Sequence, residues 1–186
     1  MSTQTICIIL ADGFEEIEAL QPADIFKRLG LNVILAGLKD KIVTGAHGFQ
    51  IIANTLANEL SVDDFDAIML PGGLPGATHL QASDNIRELL VTAHAQNKIC
   101  AAICAAPIVL HDSGITKGKT ITGYPGCENL AKQPNCRFNG QDVVTEDNII
   151  TAIGMGKAHL FAFEIAKALG ITQENINNLA ASAFIN

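Results

Sequence analysis

The sequence predicts an α/β fold in which a mostly parallel sheet lies between two layers of helices. Three observations predict it. Strand-like and helix-like segments alternate through most of the chain, the order that builds parallel sheets by crossover connections. The strand-like runs are continuously apolar and β-branched rather than alternating, as suits strands buried on both faces. The chain has 186 residues, enough for one domain with a substantial core and too few for two ordinary ones. Residues 1–186 therefore read as a single domain. A hydrophobic content of 48% against 17% charged suits a compact globule and argues against disorder.

Residues 5–11 (TICIILA) form the first strand, which Asp12 and Gly13 end. Residues 15–29 read as a helix in which Pro22 should cause a kink or a restart, with Gly30 as its cap. Residues 32–37 make a second strand. Residues 44–48 are turn material, and 49–53 form an edge strand or hairpin arm. Residues 67–70 are a short buried strand closed by the turn 71–76. Ser83 caps a helix running through Gln96, with Ile86, Leu89, Leu90 and Ala93 at helical spacing. Strand 99–103 runs into helix 106–112. Segments 120–122 and 143–145 read as short strands around a polar loop, and 149–153 as another buried strand. Helix 156–169 ends at Gly170, and helix 173–183 closes the chain. In open sheets of this kind ligands sit beyond the carboxyl ends of the strands. The loops 12–14, 71–76, 104–107 and 154–156 all follow strands, so they should gather at one edge.

Charge and composition exclude several functions. The net charge of −7 argues against nucleic acid and anionic membranes, and the absence of tryptophan with a single tyrosine leaves few stacking platforms for bases. No run approaches the roughly 20 apolar residues of a membrane span. Residues 1–5 lack the basic region and apolar stretch of a leader. Five cysteines is an odd number in a chain large enough to need no staples. Cys100 and Cys104 read as sharing one strand and one face, about 13 Å apart by strand rise, too far for a disulfide. We expect free thiols in a reducing cytoplasm. None of the five histidines stands at metal-ligand spacing with another His or Cys, so no metal is expected. The stretch from Gly154 begins like a dinucleotide loop but has His159 at the third glycine position, and there is no Walker sequence. No cofactor is expected.

Cys104 is the candidate nucleophile. It stands on the corner between a buried strand and a helix, where a side chain is lifted above the sheet edge and unpaired N–H groups favour a thiolate. Cys7 and Cys100 lie within apolar strands and read as core. Cys127 and Cys136 fall in a loop and read as exposed bystanders. Gly72 and Gly73 can turn their N–H groups toward an oxyanion, although a tight turn explains them equally well. Glu15, Glu16 and Glu18 open the first helix. Dipole complementarity and a solvated face explain two of them, while one on the inward face could approach Cys104 as a protonated carboxyl and shuttle protons. Spacing alone does not choose among the three.

The segments IILADGFEEIE (8–18), LPGG (70–73) and AAICAAP (101–107), with Gly154 and Gly156 behind them, resemble the ThiJ/PfpI superfamily, specifically the branch of the Parkinsonism-associated deglycase and its bacterial relatives. The resemblance covers nearly the whole chain. It implies a flavodoxin-like α/β sandwich, usually a homodimer. It also implies that Cys104 is the reactive thiolate, Glu18 its protonated partner, and Gly72, Gly73 and the amide of Ala105 the oxyanion pocket. The implied activities are glutathione-independent glyoxalase (glyoxalase III), converting methylglyoxal-type 2-oxoaldehydes to hydroxy acids through a Cys104 hemithioacetal, and deglycation of early glycation adducts. The alternative is an oxidative-stress sensor or redox-regulated chaperone acting through Cys104 oxidation.

Three positions depart from related patterns. The histidine that this branch places before a proline near the thiol is Tyr124 here; it can donate a hydrogen bond in the substrate site but is a poor base near neutral pH. Ala105 stands where protease-like members carry histidine. Ala106 stands where glutamine amidotransferases need glycine.

Overall fold

Strand β1 (Thr5–Leu10) shows how the fold is made. Cys7 and Ile9 belong to one apolar cluster, and Ile6, Ile8 and Leu10 to another on the opposite face. Side chains alternate across a strand, so an unbroken apolar run can be buried only between two layers. In the computed structural model, which describes residues 3–185, this happens throughout a seven-stranded sheet. Residues 1, 2 and 186, which the single-domain and leader readings also take in, lie outside the described residues.

The remaining elements follow in order. They are α1 (Glu16–Arg28), β2 (Asn32–Gly37), β3 (Ile42–Thr44), β4 (Gln50–Ile52), β5 (Thr55–Leu56) and β6 (Ala67–Leu70). Next come α2 (Gly76–Gln81), α3 (Asp84–Ala95), β7 (Ile99–Ile103) and α4 (Pro107–Asp112). Last are β8 (Val143–Glu146), β9 (Ile149–Ala152), α5 (Ala158–Ala168) and α6 (Gln173–Ser182). The sheet order is β5-β2-β1-β6-β7-β9-β8, parallel except for the antiparallel β8–β9 pair. One core, with Leu80, Ile86, Leu90 and Ile108, lies under α2, α3 and α4. The other, with Ile25, Phe26, Phe161, Ile165 and Ile176, lies under α1, α5 and α6. This is the expected flavodoxin-like α/β sandwich. After β1 the chain steps outward to β2 and then returns across β1 to β6, so the crevice between β1 and β6 is the topological switch point.

Several local expectations need correction. Pro22 neither breaks nor restarts α1: it is buried inside a continuous helix. Its ring removes only the donor that would meet the Glu18 carbonyl, and packing of α1 on α5 holds the rest. Segment 120–122 is not a strand; Ile121 makes one isolated parallel bridge to Phe138. Short elements α2, β3 and β5 were not expected. β3 pairs with β4 as an antiparallel hairpin whose tip folds onto the start of α1, with the Ala46 N–H donating to the Phe14 carbonyl at 2.8 Å. No helix among the described residues is long and apolar enough to cross a membrane.

Candidate active site

β7 ends at Ile103, and Cys104 takes φ of 63°, a left-handed conformation that costs a non-glycine residue on the order of 1–2 kcal/mol. That single dihedral corrects one expectation. Cys104 does not share a face with Cys100: Cys100 belongs to the core under α3, whereas Cys104 packs toward the core under α1 and α5. The seat is held by main-chain bonds. The Cys104 N–H donates to the Ala152 carbonyl at 2.9 Å, and the Cys104 carbonyl accepts from the Tyr124 N–H at 2.7 Å.

Glu18 comes from the first turn of α1 and is almost fully buried. Its Oε2 accepts the Gly72 N–H at 2.9 Å. Gly72 stands between the two reactive groups: a Cβ there would lie 2.6 Å from Glu18 Oε2 and 2.7 Å from the Cys104 Cβ. The Glu15 N–H in turn donates to the Gly72 carbonyl at 3.0 Å, tying the start of α1 to the loop after β6.

Burial raises the Glu18 carboxyl to about 7; contact with Cys104 and the backbone N–H groups of Gly72 and Met155 pulls it down, while Glu15 pushes it up. Burial also pushes the Cys104 thiol up, reinforced by the negative charge and hydrogen bond of Glu18; the N–H groups of Gly73 and Ala105 act the other way. The sequence expectation of a thiol eased into ionisation by a helix N-terminus is therefore incomplete. Two buried acids in contact resist losing both protons. With the proton on Glu18, the Coulombic obstacle to a Cys104 thiolate disappears, and the Gly73 and Ala105 N–H groups remain to hold the charge.

A thiol and a buried carboxyl thus meet beside the N–H groups of Gly73 and Ala105, at the carboxyl ends of β1, β6 and β7. A family model described as the DJ-1/PfpI family matches residues 4–168. The chain belongs to that family. It is 33% identical over 184 residues to protein dj-1beta of Drosophila melanogaster, covering 98% of both chains. The crystal structure of that fly protein superposes with a TM-score of 0.92 over the full length of both chains. An oxidized DJ-1 of Toxoplasma gondii gives a TM-score of 0.89 at 29% identity, over 98% of each chain. A deglycase of Pyrococcus abyssi is 27% identical over 164 residues, covering 88% of this chain and 98% of its own.

Within this DJ-1/PfpI chain the structure brings Cys104, Glu18, Gly72, Gly73 and Ala105 together. Tyr124 joins them through its main chain, while its ring is exposed beside Gly154. Cys7 and Cys100 are core residues as expected, each thiol pushed up to about 12 by burial. Cys127 and Cys136 are not the exposed bystanders expected; both are half-buried against the core under α3.

Dipole complementarity and a solvated face were expected to explain two of the three glutamates, but, like Glu18, Glu16 is buried. One oxygen accepts the His47 N–H and the other meets His47 Nδ1, both at 2.8 Å. These bonds outweigh burial and hold Glu16 below the usual carboxylate range, and the same pairing raises His47. Glu15, Glu16 and His47 bring ligand-type atoms within 4.8 Å of one another. Carboxylate–imidazole groups of this kind also occur as plain ion pairs, and the bond to Nδ1 already satisfies this one. Sequence spacing does not reveal it, because its partners are 31 residues apart.

Proposed function

We propose that this chain is a cysteine-dependent enzyme of the glyoxalase or deglycase type, acting on methylglyoxal-like 2-oxoaldehydes or early glycation adducts without glutathione. The observation that carries the reading is the Cys104–Glu18 pair, with Glu18 buried, raised to about 7 and anchored on Gly72. A carboxyl with that affinity can both give and take a proton near neutral pH. The deglycase name of the Pyrococcus abyssi relative supports the same substrate class.

The Cys104 thiolate adds to the aldehyde carbon, and Glu18 gives its proton to the new alkoxide, forming a hemithioacetal. The N–H groups of Gly73 and Ala105 face the charge as it develops. The Glu18 carboxylate then takes the hydrogen from the former aldehyde carbon, and the resulting enediol is reprotonated on the neighbouring carbon. The product of that transfer is a hydroxyacyl thioester on Cys104. Water hydrolyses it, regenerating the thiol and releasing the hydroxy acid. The net change is addition of one water to the oxoaldehyde.

The test is lactate formed from methylglyoxal, quantified by NMR, with Cys104→Ala as control. Many lactates per wild-type chain and none from the variant support the reading. Stoichiometric loss of aldehyde without lactate rejects it and favours a second reading, Cys104 oxidation as a stress signal. That reading draws on the Glu18 proton beside the sulfur, which would donate to a sulfinate, and on the related Toxoplasma gondii structure described as oxidized. The proposal includes a homodimer, supported by the exposed Ile42, Phe49 and Ile52 on the β3–β4 hairpin and Ile17 on the adjoining α1.

A further inference from the structure

The reacting atoms of a 2-oxoaldehyde are the same whatever substituent it carries, so discrimination belongs to what surrounds Cys104 and Glu18. Three large apolar side chains stand exposed there. Leu74, 49% exposed, follows Gly73, whose N–H faces the thiol. Tyr124, 55% exposed, is bonded through its main-chain N–H to the Cys104 carbonyl. Met155, 54% exposed, has its backbone N–H toward the Glu18 carboxyl. Tyr124 Cδ2 lies 3.7 Å from where a Cβ on Gly154 would stand, which sets the Tyr124 ring against the loop that carries Met155.

One exposed apolar residue means nothing by itself. Here three separate loops each present one: Tyr124 and Met155 through residues whose own N–H meets the reactive pair, and Leu74 on the residue after Gly73, whose N–H does. The centre beneath them is built from Gly72, Gly73 and Ala105, which fill little space. None of the three rim residues carries a charge, so the rim offers no partner to an anionic substituent such as a phosphate. An aryl or branched alkyl substituent leaving the carbonyl would instead cover Tyr124 and Met155, gaining ring–ring and sulfur–ring contacts.

We propose, resting on the hydroxy-acid-forming reading above, that Leu74, Tyr124 and Met155 form an apolar rim selecting 2-oxoaldehydes with an aryl or branched alkyl substituent. The first measurement is the ratio of kcat/KM for phenylglyoxal, followed as mandelate, to that for methylglyoxal, followed as lactate. It is made on wild type and on Leu74→Ser, Tyr124→Ser and Met155→Ser. The second needs no turnover. It is the ratio of Cys104 alkylation rates by N-phenylmaleimide and N-methylmaleimide, read by peptide mass spectrometry and normalised to N-acetylcysteine. Both ratios should fall about threefold or more in at least the Tyr124 and Met155 variants, the scale of losing a few apolar contacts at an open site. A falling maleimide ratio with no hydroxy acid from any protein upholds the rim and rejects the reaction. Unchanged ratios in all three variants overturn the rim, whether or not turnover is seen. Three independent exposed positions keep the test decisive if one variant fails to fold.

Discussion

Gly72 sits so close to both Glu18 Oε2 and the Cys104 Cβ that an alanine there must push them apart, since 2.6 Å and 2.7 Å are distances real Cβ contacts do not show. We expect Gly72→Ala to lower lactate formation by about 100-fold, the scale of a displacement near 1 Å at a reacting centre. Overpacking should also cost about 1–3 kcal/mol in a chemical melt. Unchanged turnover would mean that Gly72 does not set the spacing of the pair. Glu18 makes a second prediction. Its carboxyl is raised from 4.5 to about 7 in the fold, so the folded chain binds the extra proton between those values. The Glu18 contribution to stability is then greatest below about pH 4.5, falls as pH rises to about 7, and is level above that. The full drop is about 3 kcal/mol for this nearly unexposed group. Urea melts across that range in a Cys104→Ala background should show the drop with Glu18 and lose it in Glu18→Gln. Equal pH dependence in both chains would remove the protonated carboxyl from the site.

At the level of elements, α3 offers a control on the fold that leaves the site alone. Its cap is the Ser83 hydroxyl, which accepts the Ile86 N–H. Ser83→Ala should cost about 1 kcal/mol in thermal melts and leave the kcat for methylglyoxal unchanged. A loss of turnover would show α3 coupled to the Cys104 seat. The cap, the buried runs of β1, β6, β7 and β9, and the helix after Cys104 could be read from sequence because each is a local pattern. Pro22 was misread because local propensity yields to burial when the missing bond is a single carbonyl. α2 went unseen because six residues beginning at Gly76 carry neither a cap nor a full apolar period. Cys104 was legible from its strand-to-helix corner, whereas Glu18 emerged from its neighbours only through family resemblance. Glu16 and His47 were not legible at all, because a hairpin tip bound to a distant helix leaves no spacing to count.

The molecule as a whole presents Phe49 and Ile52 to solvent on a hairpin bound to the start of α1. We expect a homodimer in sedimentation equilibrium and a monomer for the Phe49→Glu, Ile52→Glu double variant. A wild-type monomer at micromolar concentration would remove the dimer from the proposal. The sheet order also decides when the chemistry comes into being. Glu18 follows β1, Gly72 and Gly73 follow β6, Cys104 follows β7, and Met155 follows β9. The site therefore has no half that a fragment can hold. On the ribosome, a nascent chain carries Cys104 through the synthesis of some fifty more residues before Met155 exists to complete the surroundings of Glu18. Until the strands assemble, the thiol lacks the burial and the Glu18 contact that raise it in the fold, and it is open to any electrophile that reaches it. Only the finished sheet gives it an environment of its own.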